Sequence, residues 1–124
     1  MKTENIILDK TFDFSLKIIE LYKTLIFEKK EFVMSKQLLR SATSIGANAV
    51  EADSAQSRKD FIAKMSISFK EANETKYWIK LLIRSGFIER NDILESCDEI
   101  IRILTSILNS ARKNLEKKQG KNNV

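Results

Sequence analysis

The chain has 124 residues, a formal net charge of +5, no histidine and no proline. This length suits one domain with a hydrophobic core and is too short for two. The lack of histidine excludes Glu-x-x-His di-iron pairs, histidine-assisted nucleophiles and most zinc sites, and the lack of proline favours long helices.

The N-terminal ten residues, MKTENIILDK, contain charges and an apolar run of only three residues. They therefore fit neither a signal peptide nor a membrane span. The single cysteine, Cys97, cannot form an internal disulfide, which favours a reducing compartment. We expect a cytoplasmic protein that does not associate with membranes.

Apolar residues at spacings of four and three predict a first helix over residues 9–27. Its main row is Phe14, Ile18, Leu21 and Leu25. The charged stretch EKKE then interrupts the period. A second helix is predicted over residues 35–53, with Ser35 as its N-cap.

The second helix is unusual because SATSIGANAVEA, residues 41–52, carries one charge in twelve residues. Its predicted core stripe is Leu38, Ala42, Ile45, Ala49 and Ala52. Small side chains let a neighbouring backbone approach closely, so we expect tight packing against other helices. A helix with so little charge belongs at the centre of a bundle, at a subunit interface, or both.

Polar side chains beside this stripe need partners, because an unpaired buried polar group costs on the order of 1 to 3 kcal/mol. We therefore predict a partly buried polar network between the second and third helices. Its members are Arg40, Ser44, Asn48, Glu51, Glu71 and Glu74. Three carboxylates near an arginine indicate an ion network rather than a metal site, so no metal is predicted.

Two more helices follow, over residues 57–85 and 91–117. Ser57, with Asp60 three residues later, resembles a capping box, and Gly86 suits a left-handed C-cap. The last helix has a regular apolar row from Ile93 to Ala111. Because the connections are short, the predicted fold is all-α, an antiparallel up-down-up-down four-helix bundle in one domain, residues 1–124.

Cations mark two candidate surfaces for nucleic acid. On the third helix, one face is predicted to carry Lys59, Lys70, Tyr77, Lys80 and Arg84. In the C-terminal tail, residues 112–124, the candidates are Arg112, Lys113, Lys117, Lys118 and Lys121. Lysine and arginine neutralise phosphates, and a tyrosine can stack on an unpaired base. Ordinary solvated surface, a solubilising tail, or packing of Tyr77 at a subunit boundary are the alternatives.

The segments QLLRSATSIGANAVEA, residues 37–52, and DFIAKMSISFKEANETKYWIKLL, residues 60–82, resemble a known bacterial family. This is the four-helix-bundle family named after proteins encoded in 23S ribosomal RNA intervening sequences. The resemblance implies a bundle that is commonly a homopentamer and has no established enzymatic activity. One relative, the accessory protein of diversity-generating retroelements, binds nucleic acid and a reverse transcriptase.

From these patterns we expect a non-enzymatic homo-oligomer without catalytic residues or cofactors. Its expected partners are its own copies, RNA or DNA, and, by the resemblance, a reverse transcriptase or another nucleic-acid enzyme. The alternative is a structural scaffold for other proteins that does not bind nucleic acid.

Overall fold

In a computed structural model, the protein forms four helices, and the structure describes residues 2–90 and 92–122, with side chains for 6–90 and 92–120. The helices are α1 (Lys2–Phe27), α2 (Met34–Asp53), α3 (Arg58–Arg84) and α4 (Asp92–Asn122). The described part of the chain contains no strand. Each helix contacts the two beside it in a closed ring, α1 to α2 to α3 to α4 and back to α1. The prediction of an all-α four-helix bundle is confirmed.

Pairs of contacting residues show that α2 and α3 run antiparallel. Arg40 of α2 pairs with Glu74 of α3, and Glu51, later in α2, pairs with Lys64, which is earlier in α3. The same holds for α3 and α4, where Ser66 meets Arg112 and Lys76 meets Asp98. The most extensive contacts in the bundle join α2 with α3. The core stripe predicted for α2 is confirmed, since all five of its members are fully buried.

Close contacts hold both flanks of α2. On the α3 side, the Thr75 hydroxyl donates to Ser41 Oγ at 2.9 Å, and the Ser68 hydroxyl donates to the carbonyl of Ile45 at 2.8 Å. On the α1 side, a methyl group added at Gly46 would lie 3.3 Å from Thr11 Oγ1. Only small side chains permit such an approach, so the backbone of α2 lies close to both neighbours.

The N-terminal part of α1 corrects the predicted boundary, because the helix begins at Lys2 rather than at residue 9. Ile7 is fully buried and continues the apolar row. Thr11 interrupts that row in the sequence, but its hydroxyl donates to the carbonyl of Ile7 at 2.7 Å. A buried threonine whose hydroxyl is satisfied within its own helix extends the core face.

The C-terminal segment is also corrected. It is helical as far as Asn122, so α4 continues past residue 117. Lysine, glutamate, leucine and glutamine are good helix formers, which explains the extension. The predicted start at residue 91 lies outside the described residues.

The prediction that Ser35 caps α2 is wrong. Val33 is the N-cap residue, and it forms no capping bond through its side chain. Instead the carboxylate of Glu31 accepts from the backbone N–H groups of Val33 at 3.1 Å, Met34 at 2.9 Å and Ser35 at 2.7 Å. Glu31 therefore caps α2 with a buried charge at the positive end of the helix dipole.

Opposing effects act on the pKa of Glu31. Burial alone would raise it, whereas the backbone N–H groups of Met34, Ser35 and Val33 lower it. The hydrogen bonds prevail, and the pKa lies below its ordinary value. The charged form of Glu31 thus stabilises the folded state.

The caps of α3 confirm two predictions. Ser57 is the N-cap residue, and its side chain accepts from the Asp60 N–H at 3.0 Å. Gly86 has a φ of 87° and follows the last turn. Its N–H donates to Ile83, and the Phe87 N–H donates to Leu82, which is the Schellman arrangement.

None of the described helices combines the length and apolar character needed to cross a membrane.

Replacing Glu31 with glutamine should lower the free energy of unfolding at pH 7 by about 1 kcal/mol, the usual effect of losing a helix cap. Because the folded-state pKa of Glu31 is lowered, its contribution is present above the unfolded pKa and disappears as the pH falls through the folded pKa. Urea unfolding at pH 7 and at pH 3 measures the difference between wild type and Glu31→Gln.

Glu28→Gln is the matched control, because Glu28 is exposed in the same loop. Its effect should be small at both pH values. A Glu31→Gln effect of equal size at both pH values would show that the cap does not depend on the charge.

Candidate nucleic-acid interface

The outward face of α3 carries a row of cations. We call Lys59, Lys70, Lys80 and Arg84 the α3 cation row, and all four side chains are exposed. The face lies opposite the buried side of α3, which includes Met65, Ala72 and Ile79. Packing against α2 and α4 fixes that buried side, so the helical period directs the row to solvent.

Among the residues that the structure describes, no member of the α3 cation row forms an ion pair. Cations on the flanks of the same helix do have partners. Lys64 Nζ lies 3.5 Å from Glu51, and Lys76 Nζ lies 2.8 Å from Asp98. The hydrogen bond to Asp98, followed by its charge, raises the pKa of Lys76. Carboxylates thus neutralise the flanks of α3 and leave the outward face positive.

Tyr77 lies in the middle of this face and is 58% exposed. Its ring meets Trp78 edge to face, with centroids 5.2 Å apart. A shallow depression of about 370 Å³ surrounds it. The residues that line the depression are Asn73, Lys76, Tyr77, Lys80, Leu81 and Arg84. An accessible aromatic ring among cations can stack on a base while the cations meet phosphates.

The cations of α4 divide into two groups. Arg112 lies beside the outward face of α3, since its Nη2 donates to Ser66 Oγ at 3.3 Å. Lys113 and Lys117 are exposed but lie on a different side of α4. Lys118 is also exposed, and the side chain of Lys121 lies outside the described residues. Among the C-terminal candidates whose side chains the structure describes, Arg112 is the one with a contact to the α3 face.

The six residues of the predicted polar network fall into three separate groups. Arg40 pairs with Glu74, and its Nη1 lies 3.6 Å from Glu71. The Trp78 indole N–H also donates to Glu74, at 3.3 Å. This group connects α2 with α3 at their accessible edge.

The other members bond elsewhere. The Asn48 amide donates to the Ser44 carbonyl at 2.9 Å and to the Ser44 hydroxyl at 3.0 Å, both within α2. Glu51 meets Lys64, so it does not reach Arg40. In place of one network, the buried bond between Thr75 and Ser41 joins the helices at the core. Threonine and serine at facing buried positions are the signal that could have identified it.

Cys97 is the single sulfur nucleophile in the sequence, and it is buried. Burial is the main cause that raises the pKa of its thiol to about 12. Its thiolate is therefore scarce at neutral pH, and its environment does not activate it. In the described parts of the chain, no three histidine, cysteine, aspartate or glutamate residues cluster closely enough to hold a metal ion.

Comparisons with known proteins agree with this architecture. The 23S rRNA-intervening sequence protein family matches residues 3–107. A crystal structure of a protein of unknown function from the S23 ribosomal protein family of Bacteroides thetaiotaomicron is similar, with 53% identity and a TM-score of 0.84. That match covers 86% of this chain and 98% of the other. No curated protein matches the chain.

Proposed function

The chain belongs to the 23S rRNA-intervening sequence protein family, and on this basis we propose that it is a non-enzymatic homo-oligomer that binds RNA or DNA through the outward face of α3. The observation that supports binding most strongly is the α3 cation row, with Tyr77 accessible among its cations.

The geometry of the row suits a polyanion. Lys59 and Arg84 mark its ends, and at 1.5 Å per residue it extends over roughly 37 Å. Cations without carboxylate partners are free to neutralise phosphates, which releases the counterions condensed on the nucleic acid with a gain in entropy. Arg112 adds a cation from α4 beside the same face. The proposed interface is therefore a continuous positive surface rather than an isolated lysine.

Self-association is supported by a second surface, which we call the outer apolar surface: Phe12, Leu16 and Val50. All three side chains are exposed. Phe12 follows Thr11, which contacts α2 at Gly46, and Val50 lies one turn beyond Gly46. The apolar side chains thus flank one line of contact between α1 and α2. Burial against another copy would remove them from water, and several copies would multiply a weak affinity for nucleic acid.

Two features support the proposed absence of catalysis and the proposed cytoplasmic location. The sequence offers no histidine as a general base, and the Cys97 thiol is buried with a raised pKa. A free buried thiol also suits the reducing cytoplasm. A nucleic-acid enzyme such as a reverse transcriptase is a further partner that fits the proposal.

The outer apolar surface also supports a second candidate function. If it contacts a different protein, the chain is a scaffold for protein–protein interaction and has no need of nucleic acid. The two functions differ in whether the purified protein binds nucleic acid at low salt.

Replacing the α3 cation row with glutamine at all four positions should weaken binding to a labelled RNA at least about tenfold. It should also reduce the salt dependence by about one unit of slope for each phosphate that the protein no longer neutralises. Fluorescence anisotropy over a range of salt concentrations measures both quantities.

The matched control replaces Lys10, Lys23, Lys64 and Arg102 with glutamine. The three lysines pair with carboxylates, and Arg102 is exposed on a side of α4 other than that of Arg112. Both variants have the same reduction in net charge. Equal decreases in RNA affinity in the two variants would show that only net charge matters. If the wild type binds no nucleic acid at low salt, the scaffold function is favoured.

Val50→Asp should dissociate the oligomer, because it places a charge in the apolar contact between copies. Light scattering of the wild type should give a mass several times that of one chain, and the variant should approach one chain mass. Val33→Asp is the control, since Val33 is exposed outside this surface. A wild type with the mass of one chain would contradict the oligomer.

A further inference from the structure

The loop between α1 and α2, residues 28–33, displays large apolar side chains at one end of the bundle. Phe27, just before it, is 68% exposed, Phe32 is 60% exposed and Val33 is 74% exposed. Most of each side chain is in contact with water, which is unfavourable for apolar surface. Two aromatic rings at a helix end thus add nothing to the core of the bundle, which suggests a role outside it.

The loop is held rigidly. The Glu31 N–H donates to the Leu25 carbonyl at 2.9 Å, and the Lys29 N–H donates to Thr24 at 3.2 Å. Lys30 adopts a φ of 55°, a left-handed conformation that closes the end of α1. Three backbone N–H groups then bind the Glu31 carboxylate. The backbone that carries the rings is therefore ordered before a ligand arrives, which lowers the entropic cost of binding.

Charge at the loop differs from what its sequence suggests. EKKE contains two acids and two bases, which together are neutral. Glu31, however, turns inward and is only 8% exposed, with its charge held by the start of α2. The exposed charges are then Lys29, Lys30 and, one turn into α2, Lys36, against the single carboxylate of Glu28. The aromatic rings therefore lie in a positive environment.

A cleft of about 550 Å³ opens beside the loop. It lies between the second half of α1 and the connection from α3 to α4. The cleft is lined by Lys17, Glu20, Leu21, Thr24, Lys29, Phe87, Ile88, Glu89, Arg90 and Ile93. Lys29 thus belongs to both the loop and the cleft wall. Four lining residues are apolar and five are charged, with three cations against two carboxylates. A cleft of this volume is large enough for a small organic group such as one nucleotide.

We propose that this loop, with the cleft beside it, binds unpaired nucleotides of a single-stranded nucleic acid. Phe27 and Phe32 stack on exposed bases, while Lys29, Lys30 and Lys36 meet the phosphates. Aromatic rings interleaved with cations are the usual platform for single strands, and in a duplex the base faces are already stacked. This inference rests on the proposed function and names its substrate class. Because α2 and α3 are antiparallel, the loop before α2 lies at the same end of the bundle as Lys80 and Arg84.

Three double variants separate stacking from ordinary apolar contact. Phe27→Leu with Phe32→Leu keeps apolar volume but removes the aromatic faces, Phe27→Trp with Phe32→Trp keeps the faces, and the double alanine variant removes both. All the changes are at exposed positions, and circular dichroism checks that the helices persist. The leucine and alanine variants should bind a labelled single-stranded RNA about fivefold more weakly, or worse, for each ring removed. The tryptophan variant should bind like the wild type.

Annealing the same RNA to its complement provides the second measurement. Affinity for the duplex should change by less than about twofold in every variant, because stacked bases cannot use the rings. Equal decreases in affinity for single strand and duplex, or wild-type affinity in the leucine variant, would overturn the role of the rings.

Vesicles of phosphatidylcholine and phosphatidylserine test the competing occupant. The loop would be assigned to a lipid surface if the wild type and the leucine variant bind the vesicles, the alanine variant does not, and RNA affinity is the same in all three. That result would overturn the inference. RNA binding that is insensitive to the loop but sensitive to the α3 cation row would overturn this inference alone. If the wild type binds no nucleic acid, the proposed function itself fails.

Discussion

The close approach of α2 to its neighbours is the constraint on which the rest of the molecule depends. Thr75 bonds to Ser41 inside the α2–α3 contact, and Gly46 leaves room for Thr11 on the α1 side. Larger side chains at these points would separate the helices. The buried hydroxyls are compatible with this packing because each is hydrogen-bonded within the protein. The lack of charge at the buried positions of α2 follows, since those positions meet other helices.

This packing determines where charge can accumulate. Because α2 and α4 cover the inner side of α3, its lysines, its arginines and Tyr77 lie on the flanks and the outward side. Carboxylates such as Glu51 and Asp98 neutralise cations on the flanks, whereas no described carboxylate pairs with the α3 cation row. At the end of the bundle, the carboxylate of Glu31 is buried because it caps α2, so it does not neutralise the lysines at the surface there. Helix packing and helix capping together thus turn a modest net charge into local positive surfaces.

Much of the fold could be predicted because apolar spacing and capping residues act within one helix. The core stripe of α2 and the Ser57 cap are examples. What failed depends on partners that a single helix does not reveal. Glu31 resembles a solvated charge until the turn brings three N–H groups to its carboxylate. Asn48 could form hydrogen bonds across helices or within α2 to Ser44, and the sequence does not distinguish these two possibilities. The position of Arg112 beside α3 depends on the register between α3 and α4, which tertiary packing sets.

The central claim, that α2 is packed too closely to admit larger side chains, is tested most directly by the free energy of unfolding of Ala42→Leu. Ala42 is fully buried between the two close contacts of α2. Overpacking should lower that free energy by about 1 to 3 kcal/mol. The same substitution at the exposed Ala63 of α3 should change it by less than about 0.5 kcal/mol. An Ala42→Leu protein as stable as the wild type, or more stable, would contradict close packing.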